Sequence, residues 1–82
     1  VPRVTLYTRA GCHLCDDARA VVRAVCDELG EGFEERDVDT DPELAPDLRR
    51  RFSDEVPVTF VDGAQHDFWR VSAQRLRAAL AQ

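Results

Sequence analysis

The stretch Val4-Thr5-Leu6-Tyr7-Thr8-Arg9-Ala10-Gly11-Cys12-His13-Leu14-Cys15-Asp16-Asp17-Ala18 organises the chain. Val4 to Tyr7 alternates weakly and is rich in β-favouring residues, which predicts a buried first strand. Thr8 to Gly11 turns the chain. From Leu14 the apolar residues Leu14, Ala18, Val21, Val22, Val25 and Leu29 recur at one-face helical spacing for about four turns. Asp16, Asp17, Arg19, Arg23 and Asp27 fall mainly on the opposite face, and Gly30 and Gly32 supply a stop.

This context gives the two cysteines different prospects. Cys12 falls at the start of the helix, near free N–H groups and the positive end of the dipole, where a thiolate is stabilised. It is expected to be partly exposed, to accept hydrogen bonds from the amides of Leu14 and Cys15, and to act as the nucleophile. Cys15 lies one turn deeper and suits a resolving thiol, one that attacks the mixed disulfide formed by Cys12. The same spacing could supply half of a metal site. One such pair gives only two of the four protein ligands that structural zinc takes, His66 being the remaining donor, so no monomeric metal site is expected. Two such pairs could meet around a cluster in a dimer. A fold retained for binding, without redox turnover, is the third reading. Cys26 stands about 16 Å along the helix axis from Cys15, too far for a disulfide, and reads as a small buried hydrophobe.

Eighty-two residues at 44% hydrophobic and 33% charged suit a single small globular domain spanning 1–82. No apolar run approaches the ~18 residues of a membrane span. No basic region followed by an apolar one opens the chain, so no secretory signal is expected. A net charge of −5 argues against non-specific nucleic-acid binding. Three cysteines make no disulfide framework, and a reducing cytoplasm with one catalytic pair is the simpler setting.

Phe33 to Val38 reads as a second strand. Asp39-Thr40-Asp41-Pro42-Glu43 reads as a helix start, with Asp or Thr at the cap and Pro42 at the first helical position, leading to Leu44, Leu48 and Phe52. Pro46 falls early in that helix, where it could make the start irregular. Val56 to Val61 is the third strand, with Pro57 near its beginning. Asp62-Gly63 is a hairpin turn, and Gln65 to Val71 pairs back. Ser72 caps a last helix with the apolar face Ala73, Leu76, Ala79 and Leu80. The aromatic pair Phe68-Trp69 has two readings: one ring packed in the core and one beneath the last helix, which is the expectation, or Trp69 lining a substrate groove with Arg70 meeting an acidic partner; His66 is expected on the hairpin surface. The resulting order is β-α-β-α-β-β-α, an α/β fold with a mixed four-stranded sheet and three helices.

That order, the CxxC after the first strand and Glu55-Val56-Pro57-Val58-Thr59-Phe60-Val61-Asp62-Gly63 together resemble the thioredoxin superfamily. Within it the chain is most similar to the small bacterial glutaredoxin-like proteins, over essentially its whole length. The resemblance implies a thioredoxin-like fold and thiol-disulfide exchange on protein or glutathione mixed disulfides, with Cys12 attacking and Cys15 resolving. It implies that Pro57 is a cis-proline facing the pair, leaving the Val56 backbone to hydrogen-bond an extended peptide or glutathione. Arg9 matches a position where glutaredoxins carry a cation near the thiolate, and His13, if cationic, would act in the same sense. No tightly bound cofactor is implied; the partners are a disulfide-bearing protein or glutathione, with a thiol reductant, acting on a monomer. Two departures stand out. The motif holds His13-Leu14 where glutaredoxins have Pro-Tyr, and Gln65 to Ser72 lacks the paired glycines that hold glutathione's γ-glutamyl end.

Overall fold

The computed structural model describes residues 2–82. Its elements are β1 (Val4–Thr8), α1 (His13–Leu29), β2 (Phe33–Asp37), α2 (Pro46–Glu55), β3 (Val58–Val61), β4 (Ala64–Phe68) and α3 (Ala73–Leu80). The sheet runs β2-β1-β3-β4, with β1 parallel to β2 and antiparallel to β3, and β3 antiparallel to β4. The element order and the mixed four-stranded sheet with three helices are those expected of a thioredoxin-like fold.

Alternation along the strands sends side chains to two cores. Val4, Leu6 and Val61 meet Ala18, Val22, Val25 and Cys26 of α1 and Leu76 and Leu80 of α3. Cys26 is thus a core residue, as expected. On the other face Tyr7, Val58 and Phe60 pack with Phe52 of α2 and with Val38, Leu44 and Cys15. Tyr7, Phe52 and Phe60 form a three-ring cluster with centroids 5.6–5.8 Å apart.

Several element ends follow their sequence signals. The Gly30 amide bonds the Asp27 carbonyl (3.4 Å) and the Glu31 amide bonds that of Cys26 (2.9 Å), closing α1 in the manner of a glycine-terminated helix. Leu29, placed by its spacing on the apolar face, is instead 43% exposed in the last turn. Asp62 and Gly63, with φ of 53° and 84°, form the two-residue turn between β3 and β4, and a glycine is needed at the more strongly left-handed position. Ser72 Oγ accepts from the Arg75 amide at 3.2 Å and caps α3.

The start of α2 differs. The helix begins at Pro46, with Ala45 as a cap that makes no side-chain hydrogen bond, and not at Asp39–Glu43. Had Pro42 opened it, Pro46 would fall at the fifth helical position and remove a ladder bond. Residues 39–44 instead fold back on β2: the amides of Thr40 and Asp41 bond the Asp37 carbonyl, and that of Leu44 bonds the Asp41 carbonyl. Asp41 is buried, its carboxylate shared by the Arg36 guanidinium and the Glu43 amide. The other boundaries move less. β2 ends one residue early at Asp37, β3 starts at Val58 after the Val56-Pro57 pair, and β4 stops at Phe68 instead of Val71.

Candidate active site

The strand β1 ends at Thr8 and the chain turns through Arg9 to Gly11, where φ is +79°. A residue with a side chain is strained there, so glycine sets the entry to the motif. The Cys12 amide bonds the Arg9 carbonyl at 3.3 Å and closes the turn. Cys12 then occupies the N-cap of α1 in extended conformation (φ −92°, ψ 112°), and its Sγ accepts from the Cys15 amide at 3.1 Å. That is the position in which a capping serine or aspartate accepts the third amide of a helix. A thiol does so here, aimed at the positive end of a 17-residue helix. The structure shows the Cys15 amide as the donor; the Leu14 amide, also expected, is not among the hydrogen bonds.

Cys12 is half-buried and Cys15 fully buried, both as free thiols. Burial, followed by the hydrogen bond to Cys12, pushes the Cys15 thiol up to about 12, while the Arg9 backbone and the Arg19 charge pull the other way. The pair is therefore asymmetric: one sulfur faces the surface at a helix end, and the other stays protonated beneath it. Among the described residues no three His, Cys, Asp or Glu side chains group as a metal site.

The other residues predicted for the site converge in part. The Val56-Pro57 peptide bond is cis, Pro57 is fully buried, and Val56 and Val58 pack in the same cluster as Cys15. Val56, just before β3, therefore shares a core cluster with the resolving thiol. His13 is exposed as the first residue of α1. The Arg9 guanidinium donates to Ser53 Oγ of α2 at 2.8 Å and pairs with the carboxylate of Asp39, in the loop after β2, at 3.3 Å.

Sequence reasoning misplaced Phe68 and Trp69. Neither ring is buried in the core or beneath α3; they are 46% and 53% exposed and meet edge to face at 5.0 Å. The cause is a three-residue turn closed by the Arg70 amide on the Phe68 carbonyl (2.8 Å), with Trp69 at its centre at φ +63°. That turn ends β4 and swings the indole outward. The absence of paired glycines in this stretch and the alternative reading of Trp69 and Arg70 as a groove were the sequence signals that the region departs from a glutaredoxin. His66, expected on the surface, has its Nε2 buried without a partner, as has the Thr59 hydroxyl.

Comparison with known proteins agrees with this architecture. The family described as the glutaredoxin-like domain (DUF836) matches residues 3–81. An uncharacterized protein of Mycobacterium tuberculosis is 39% identical over 82 residues, covering 99% of this chain and 84% of that protein. An uncharacterized protein of Mycobacterium bovis matches to the same extent. A structural-genomics target protein from X. campestris is 31% identical with a TM-score of 0.72 over 95% of each chain. The holo form of glutaredoxin C1 from Populus tremula x tremuloides is 14% identical with a TM-score of 0.53, over 98% of this chain and 75% of that one, a likeness of fold alone. With its cysteine pair at the head of α1 and its family match running from residue 3 to residue 81, the chain belongs to the glutaredoxin-like domain family (DUF836) of the thioredoxin superfamily.

Proposed function

We propose that the protein is a dithiol oxidoreductase that reduces a protein disulfide or a glutathione mixed disulfide. The observation that carries this reading is the Cys12 sulfur capping α1 at 3.1 Å from the Cys15 amide, with the Cys15 thiol buried one turn behind it. The N-terminal amides favour negative charge on Cys12, and the attacking species in exchange is a thiolate.

In the first step Cys12 Sγ attacks one sulfur of the partner's disulfide. A new S–S bond forms, the old one breaks, and the departing sulfur takes a proton. Cys15 Sγ then attacks Cys12 Sγ, giving up its own proton to the partner's second sulfur as the mixed disulfide breaks. Two electrons have passed to the partner, and Cys12 and Cys15 are joined. Burial is the main cause of the raised Cys15 thiol, and the Cys12 side chain adds to it; once Cys12 is in a mixed disulfide that added contribution weakens, so the first step eases the second. The pair is returned to the dithiol by a thiol reductant, glutathione or a protein dithiol, in a reducing cytoplasm. In this reading Val56 and Pro57 border the partner's chain at the site, and the exposed His13 stands at its mouth.

The test is a pair of single substitutions assayed against a disulfide substrate with glutathione or dithiothreitol as reductant. Cys12→Ser loses turnover, and Cys15→Ser accumulates a mixed disulfide visible by mass. Full activity in Cys12→Ser rejects the assignment, whereas no turnover in the wild-type protein leaves a binding module. A redox titration of the couple against glutathione and dithiothreitol then identifies the preferred reductant.

A further inference from the structure

Beside the motif lies a groove of about 440 Å³ lined by Leu14, Asp67, Phe68, Trp69, Arg70 and Arg75. Leu14 lies between Cys12 and Cys15 in the chain, so the groove reaches the first turn of α1, next to the motif. Its far wall is the Phe68–Trp69 pair, the two most exposed large hydrophobic residues among those described. The indole is not loose. Its Nε1 donates to the Asp54 carbonyl at 3.1 Å, and the Trp69 amide donates to the Glu55 carbonyl at 3.1 Å. These two bonds pin the residue to the last turn of α2, immediately before Val56 and Pro57. A bulky residue at positive φ in a turn of this kind is rare and strained. The chain accepts that strain and holds a large apolar ring in water, against the ordinary drive to bury it.

The charges of the groove complete the picture. Arg75 is paired with Asp67 at 2.8 Å. Arg70 is exposed and makes no salt bridge among the described residues, which leaves the groove with an unmatched cation on a chain of net charge −5. Asp17 stands at the opposite, α1 edge, in an adjoining cavity of about 190 Å³ shared with Leu14, Trp69 and Arg70.

We infer that this groove selects the disulfide partner, and that the partner is a protein segment carrying an apolar side chain next to its reactive cysteine and a carboxylate just beyond it. The apolar side chain lies between Leu14 and the Phe68–Trp69 wall, and the carboxylate meets Arg70. Trp69 and Arg70 are then specificity-determining residues. The inference rests on the oxidoreductase reading and narrows its substrate to a protein disulfide, in preference to glutathione disulfide.

The experiment uses the reduced protein and four disulfides: the homodimer of a short cysteine peptide with adjacent Phe and Glu, that of a peptide with Ser and Lys there instead, oxidised glutathione, and bis(2-hydroxyethyl) disulfide. Wild type reduces the Phe-Glu peptide about tenfold faster or more than the other peptide and glutathione disulfide, the scale of a truncated interface anchor. Trp69→Gly, which suits the left-handed backbone, brings the ratio between the peptides to within about twofold, and Arg70→Glu reverses the contribution of Glu against Lys. In Cys15→Ser, capture of the Phe-Glu peptide shifts the emission of Trp69, the sole tryptophan, to the blue as the ring is covered. Equal rates for the peptides, a preference for glutathione disulfide, or a ratio unchanged in both groove variants overturns the inference while leaving the oxidoreductase reading intact. Failure to reduce even bis(2-hydroxyethyl) disulfide removes that reading, and this inference with it.

Discussion

Arg3 and Arg70 sit in two regions that treat a guanidinium in opposite ways. Arg3, at the start of β1, makes five hydrogen bonds: two to the Asp62 carboxylate, one to Glu31, and one each to the carbonyls of Leu80 and Gln82. The Asp62 and Glu31 carboxylates raise its pKa, and the five bonds together tie β1 to the β3–β4 turn, the end of α1 and the end of α3. Around Leu14, at the head of α1, Arg70 has no ion-pair partner among the described residues, Trp69 is held open, and the Cys12 sulfur takes one amide at the surface. The contrast teaches where polar capacity is spent. Around Arg3 it closes the fold on itself, and beside the motif it is left for a partner.

The largest expected effect that tests this contrast is Cys12→Ser. Serine caps a helix as well as cysteine does, so the melting temperature stays within about 2 °C, while exchange falls by about three orders of magnitude or more. Phe52→Ala comes next. It empties the centre of the aromatic cluster beneath the site and costs about 3–5 kcal/mol, read from the urea midpoint. Arg3→Ala gives the reverse of Cys12→Ser: the melting temperature drops by several degrees, and exchange by the folded protein is unchanged. If Arg3→Ala weakens exchange at a temperature where it is folded, the two regions are not separable.

The smallest effect is alkaline. Cys15 is raised to about 12, and burial raises Cys26 from its ordinary value of 9.0. Above pH 9 both thiols ionise in the unfolded chain while remaining protonated in the folded one. The unfolded state then binds fewer protons, so stability falls as pH rises between about 9 and 12. Urea midpoints measured up to pH 10 show this decline, and Cys26→Ala flattens part of it.

Much of this was legible in the chain. The spacing of Ala18, Val22 and Val25 predicts the buried face of α1, Asp62-Gly63 the turn between β3 and β4, Ser72 the cap of α3, and Val56-Pro57 the start of β3. Local chemistry suffices for each of these. What failed depends on competition at a distance. Asp39 to Glu43 carries good helix-start chemistry, but Asp41 is claimed by Arg36 and by its own turn, and Pro46 forbids the early start. Phe68 and Trp69 have core composition, and only the backbone turn at Trp69 sends them outward.

The central claim is tested most directly by timed alkylation of the reduced protein with iodoacetamide at pH 7, with the site of modification located by mass spectrometry. Cys12 is expected to react first and faster than free cysteine, with Cys15 and Cys26 protected until the protein unfolds. Modification of Cys12 no faster than free cysteine, or modification of Cys15 ahead of it, would contradict the account.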